Sequence, residues 1–134
     1  MIVVDTNVIG YLYLKGPSSL QAEQVLLRDP QWAAPMLWRS EFRNVLAFYL
    51  RKRFLSLDES RQIMSEALYL MADREYEVDS AHVLRLVTQS TCSAYDCEFV
   101  SLAQSLGTSL VTVDKQILKE FPQVAISLAS FIPK

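Results

Sequence analysis

Ile2-Val3-Val4 is a β-branched run that stops at once on Asp5-Thr6-Asn7. Unbroken β-branched residues suit a strand buried on both faces of a parallel sheet. Asp, Thr and Asn favour turns and helix caps, so the chain leaves the sheet there. The same unit of short strand, polar stop and helix then recurs. Gln31 to Ala34 predicts a second strand ahead of Pro35, and a third fits around Tyr76 and Val78 inside the acidic run Asp73 to Asp79. Ser109 to Val113 and Val124 to Ser127 predict two more. Between them the spacing predicts helices from about Leu20 to Arg28, Met36 to Arg53, Asp58 to Met71, Ser80 to Gln89, Ala94 to Leu106 and Asp114 to Phe121. Ser56 with Glu59 and Ser93 with Asp96 have capping-box spacing, and Gly107 suits a helix C-cap. Val8 to Leu14 is mixed apolar and runs into the loop signal Lys15-Gly16-Pro17. Strands alternating with helices predict an α/β fold around a central, mostly parallel sheet of about four or five strands. Sites in such sheets lie just beyond the carboxyl ends of the strands, where Asp5 and Asp114 both fall.

At 134 residues the chain suits one domain, residues 1–134, able to bury a core without staples. Lys+Arg 13 against Asp+Glu 15 leaves a formal charge of −2, which excludes a binder that holds nucleic acid by bulk charge. Two cysteines and one histidine cannot furnish a structural zinc site of the usual four-ligand kind. Cys92 and Cys97 are expected as free thiols. No basic leader precedes Asp5, and no run reaches the roughly 18 apolar residues of a membrane helix, so a cytoplasmic protein without a membrane partner is expected.

The informative residues are acids in apolar company. On a wheel of about 100° per residue from Leu37, the apolar side chains Leu37, Trp38, Phe42, Val45, Leu46, Phe48 and Tyr49 fill one half-turn. Glu41 falls at about 40°, between Phe48 and Val45, whereas Arg39, Arg43 and Arg51 fall opposite. In the helix from Ala94, Asp96 lies between Ala103 and Val100 on the apolar arc. Glu98 lies among Ser101, Gln104 and Ser105, the place of an ordinary solvated acid. A carboxylate on a core-facing stripe must find a cation or bind a proton. Each acid also has a purely structural account: Asp5 and Asp114 as N-caps, Asp96 as the partner of Ser93, Glu41 as the partner of an arginine. Taken together, carboxylates without soft ligands select hard cations, Mg²⁺ or Mn²⁺.

Val-Val-Asp5-Thr6-Asn7, Ser40-Glu41-Phe42-Arg43-Asn44-Val45-Leu46, Tyr95-Asp96-Cys97 with Leu102-Ala103, and Val111-Thr112-Val113-Asp114 together resemble the PIN-domain ribonucleases, above all the small VapC-type toxins of toxin–antitoxin pairs. The resemblance covers nearly the whole chain and implies a three-layer α/β/α domain. It makes Asp5, Glu41, Asp96 and Asp114 the catalytic, metal-binding quartet, Thr6 and Thr112 the hydroxyls that orient it, and Asn7 the polar turn residue. It also implies a homodimer and a protein antitoxin.

The expected activity is endonucleolytic cleavage of single-stranded RNA by metal-activated water. Such a site repels a polyanion, and Arg39 and Arg43 are the expected RNA contacts, with Arg51, Lys52 and Arg53 close behind. Two alternatives share the fold: an RNA-processing nuclease outside a toxin pair, and a catalytically silent binding module. An aspartyl-phosphate phosphatase needs an acid two residues after its nucleophile, and Asn7 stands there instead.

Overall fold

In the computed structural model, which describes residues 1–132, β1 (Ile2–Val4) is the middle strand of a five-stranded sheet. With β2 (Trp32–Pro35), β3 (Glu75–Tyr76), β4 (Leu110–Val111) and β5 (Ala125–Ile126) it forms the order β3-β2-β1-β4-β5, every pair parallel. Val3 stands opposite Ala33 on one side and Leu110 on the other. Every residue of β1, β2 and β4 is buried, as strands covered on both faces require.

The helices are α1 (Thr6–Tyr13), α2 (Ser19–Arg28), α3 (Trp38–Arg51), α4 (Leu57–Met71), α5 (Ser80–Thr88), α6 (Ala94–Leu106), α7 (Lys115–Glu120) and α8 (Leu128–Phe131). The first four pack on one another, while α6 lies along β1 and β2 with α5 against it. The core between these layers holds Trp38 and Phe42 of α3, Ile9 of α1 and Phe99 of α6, all fully enclosed. Truncating a buried aromatic of this kind typically costs about 3–5 kcal/mol. Cys97, Phe99, Val100, Ser101, Leu102 and Ala103 of α6 are all buried, so this helix has almost no solvent side along its middle. His82 of α5 bridges Ser101 and Gln104 of α6, 2.8 Å from each. The two cysteines are free and buried, as expected of thiols in this setting. Among the described residues no helix is long and apolar enough to cross a membrane.

Local structure differs from the sequence-based expectation at three places. The segment Val8 to Leu14 belongs to a full helix, α1, because Asp5 caps it and its apolar residues Val8 and Ile9 face the core. The strand expected over Ser109 to Val113 contracts to Leu110–Val111, the two residues in register with Val3 and Val4 of β1. A short closing helix, α8, which the sequence reading does not include, is capped by Ser127 and packs against α2.

Candidate active site

The strand order reverses direction at β1 and β4, and the crevice beyond their carboxyl ends is where open α/β sheets place their sites. The backbone N–H of Asp5 donates to the carbonyl of Val111 at 3.0 Å, which fixes the end of β1 beside β4. One carboxylate oxygen of Asp5 accepts from the Thr6 N–H at 2.8 Å and thereby caps α1. The other accepts from the Thr112 hydroxyl at 2.7 Å and from the Asn7 amide at 3.4 Å. The Thr112 oxygen in turn accepts the Asp114 N–H at 3.0 Å, so one buried hydroxyl ties two acids together. Thr6, also buried, donates its hydroxyl to Oε1 of Glu41 at 2.7 Å, joining α1 to α3.

Asp114 caps α7: its Oδ1 accepts from the N–H groups of Gln116 and Ile117, at 2.9 and 3.1 Å. Asp96 stands in the first turn of α6, whose N-cap Ser93 accepts from the Asp96 N–H at 3.1 Å. The capping roles weighed for Asp5 and Asp114 are therefore real, and they do not compete with a site. A cap occupies one carboxylate oxygen and aims the acid beyond the strand end; for Asp114 the bonds fall on Oδ1 alone.

The acids act on one another electrostatically. Burial pushes the Asp5 carboxyl up to about 6, and the charges of Glu41 and Asp96 add to the shift, while hydrogen bonds from Thr112 and Thr6 oppose it. Glu41 is raised by burial and by Asp96, with the Thr6 hydroxyl pulling the other way. Asp96 is raised by burial and by Asp114, against hydrogen bonding to Ser93. Asp5, Glu41, Asp96 and Asp114 are thus one electrostatic group. Among the described residues the ion pairs are Met1–Asp29, Arg39–Glu75 and Arg61–Asp58, and none reaches this group. Glu41 has no arginine partner.

Buried or half-buried carboxylates that repel one another, with no ion pair to them among the described residues, fit a hard divalent ion. Among the described residues no three His, Cys, Asp or Glu side chains stand close enough together to hold a metal ion between them.

Two further residues fall elsewhere than the helical wheel suggests. Glu98 is half-buried, with its carboxyl raised by burial and by the charge of Glu41, so it flanks the acidic group and is no ordinary solvated acid. The wheel assumed that α6 is wet along this whole side, but α5 packs against part of it, and only Gln104 and Ser105 stay exposed. Arg39 is committed to Glu75, whose carboxylate it grips through Nε and a terminal nitrogen at 2.6 Å each while Trp38 donates to the same group. Arg43 is exposed one turn from Ser40, to whose hydroxyl it donates at 3.3 Å.

Known proteins share this fold. Ribonuclease VapC3 of Pyrobaculum aerophilum is 29% identical over 126 residues, covering 90% of this chain and 95% of the relative. The fold superposes on the crystal structure of FitAcB from Neisseria gonorrhoeae with a TM-score of 0.76, at 17% identity, covering 96% of this chain and 99% of the other. It superposes on a toxin–antitoxin complex from Klebsiella pneumoniae with a TM-score of 0.72, at 16% identity and 96% and 98% coverage. The PIN domain family model matches residues 2–125, a span that begins on β1 and ends on β5. The chain belongs to the PIN domain family.

Proposed function

We propose that this protein is a Mg²⁺- or Mn²⁺-dependent endoribonuclease that cleaves single-stranded RNA and serves as the toxin of a type II toxin–antitoxin pair. What supports the reading is the mutual charge repulsion among Asp5, Glu41, Asp96 and Asp114, none of which forms an ion pair among the described residues. The name of the Pyrobaculum relative supports ribonuclease activity, and the Klebsiella complex supports a protein antitoxin. The chain acts as one PIN-like domain over residues 1–134 in the cytoplasm.

A divalent ion, when bound, lowers the pKa of a coordinated water and screens charge on the phosphate. Asp5 and Asp96 would hold it directly, and Glu41 and Asp114 would complete its set of carboxylates. Thr112 and Thr6 keep Asp5 and Glu41 oriented through their 2.7 Å hydrogen bonds. Asn7 donates to the same Asp5 oxygen as Thr112. Arg43, exposed and two residues from Glu41, is assigned to the RNA backbone; Arg39, held by Glu75, contributes less. An antitoxin segment bearing an arginine would pair with the acids and displace the ion, which is a direct electrostatic route to inhibition.

Purified protein is expected to cleave single-stranded RNA with Mn²⁺ and not with EDTA, and Asp96→Asn is expected to lose at least about 10²-fold in rate. An Asp96→Asn preparation that cleaves as fast as the parent overturns the assignment.

A further inference from the structure

Beside the acids, a cavity of about 270 Å³ lies between α1 and α3 and shares Thr6 and Asn7 with the candidate site. A cavity of roughly 150 Å³ takes a benzene ring, so this one has room for a nucleobase. Three observations bear on its occupant. The first is Asn7: its amide nitrogen faces the Asp5 carboxylate, which can only accept, and this leaves the buried Oδ1 without a hydrogen-bond partner. A buried acceptor left unpaired is costly, and it calls for a donor.

The second is Gly10. It is buried within α1, has no left-handed backbone angle to require glycine, and a Cβ built there would meet nothing within 4 Å. Glycine inside a helix costs about 1 kcal/mol relative to alanine. Packing does not call for it here, and its effect is to keep the cavity wall open. The third is the rim. Tyr11 and Tyr49 supply aromatic walls, and Tyr49 is held edge-on by both Phe48 and Phe54 at 5.9 Å. Lys15 lines the same cavity, is exposed, and joins no ion pair among the described residues.

We infer that this cavity is a base-binding subsite for the nucleotide next to the cleaved bond, with a preference for a base that carries an exocyclic amine. The inference rests on the nuclease reading above. The base lies against the tyrosine rings, its amine donates to Oδ1 of Asn7, and Lys15 meets the adjoining phosphate. Single-stranded RNA is commonly held in this way, by aromatic stacking together with hydrogen bonds to base edges. Uracil fits less well, because its only ring donor lies between two carbonyls that would face the Asn7 oxygen.

The test walks one abasic ribonucleotide through the positions on either side of the cleaved bond. At one position the abasic residue is expected to raise KM about tenfold with kcat little changed, the usual weight of a base–aromatic contact. Uracil there should raise KM by a smaller factor. Gly10→Leu, which fills the cavity, should raise KM about tenfold on the intact RNA and leave KM on the abasic RNA unchanged. Gly10→Ala, a better helix former that narrows the cavity only slightly, should move KM the same way by about threefold. Calorimetric titration with Mn²⁺ should give the same affinity in all three proteins.

Equal KM values along the whole walk, or equal losses for Gly10→Leu on intact and abasic RNA, overturn the subsite while the nuclease stands. If the parent protein cleaves no RNA, anisotropy of a fluorescein-labelled single strand in Ca²⁺ decides. Binding weakened about tenfold by Gly10→Leu keeps the subsite and drops the nuclease; no binding overturns both. A Gly10→Leu protein that handles RNA normally but loses a protein partner assigns the cavity to that partner and overturns the proposal.

Discussion

Asp5 carries more of this molecule's electrostatic burden than its neighbours. It sits where β1 ends, is closed in by Thr112 and Thr6, and its carboxyl is raised from 3.8 to about 6. A folded-state value above the unfolded one means that the native protein takes up this proton first as pH falls. The stabilising effect of that proton is present below the unfolded value and is lost as pH rises through about 6. Glu41, Asp96 and Glu98 are shifted the same way, each chiefly by burial. Glu75, lowered by Arg39, acts in the opposite sense, but only as pH falls below its ordinary 4.5. Metal-free protein is therefore expected to gain about 1 kcal/mol in urea unfolding on going from pH 7 to pH 5. Asp5→Asn should flatten that gain and be the more stable protein at pH 7. A parent protein that loses stability steadily over this range, or an Asp5→Asn variant with an unchanged slope, would show that the Asp5 carboxyl is not raised in the folded protein.

At the scale of elements, the helix ends are the most legible parts of the chain. Ser56 and Glu59 form the capping box their spacing predicts, with reciprocal bonds of 3.1 and 2.9 Å. Gly107 closes α6 in the left-handed conformation expected of it. The end of α3 is less well served. Arg53 adopts φ 61 in a Schellman turn, its N–H bonded to the Leu50 carbonyl and that of Phe54 to Tyr49. The Tyr49 and Phe54 rings meet at 5.9 Å and complete the motif. A side chain in the left-handed region costs about 1 kcal/mol, which glycine avoids. Arg53→Gly should raise the melting temperature by a few degrees while leaving the α3 ring contacts in place. A lower melting temperature would mean that Arg53 makes a stabilising contact outweighing its backbone strain. Helix α1 is less legible because its polar residues Thr6 and Asn7 look like turn chemistry, and the Asp5 cap together with the burial of Val8 and Ile9 makes it helical.

For the whole molecule, the open question is assembly. Leu20 and Leu27 of α2 and Tyr69 of α4 remain exposed, at 65%, 84% and 87%. Scattered apolar exposure is normal on a surface, but three large side chains on two helices are more than the core of one copy uses. The homodimer that the family resemblance implies would place some of this surface between copies. Light scattering at micromolar concentration should give twice the chain mass, and Leu27→Asp with Tyr69→Asp should return it to that of one copy. A single-chain mass for the parent protein would leave the toxin reading without its expected assembly.

The sequence by itself determined the alternation of strand and helix, and so the parallel sheet, because a buried β-branched run, a polar stop and an amphipathic segment each have few local solutions. It also picked out Glu41 and Asp96 as acids on apolar faces, and Asp5 and Asp114 at strand ends. What it could not supply is which groups meet. The pairing of Thr112 with Asp5 spans 107 residues and that of Thr6 with Glu41 spans 35, and both depend on the order in which strands lie side by side. The same holds for Arg39, drawn to Glu75 because β3 adds beside β2 and not elsewhere. Glu98 shows the limit most clearly. A helical wheel ranks directions around one axis, but only the packing of α5 over α6 decides which of those directions meets water.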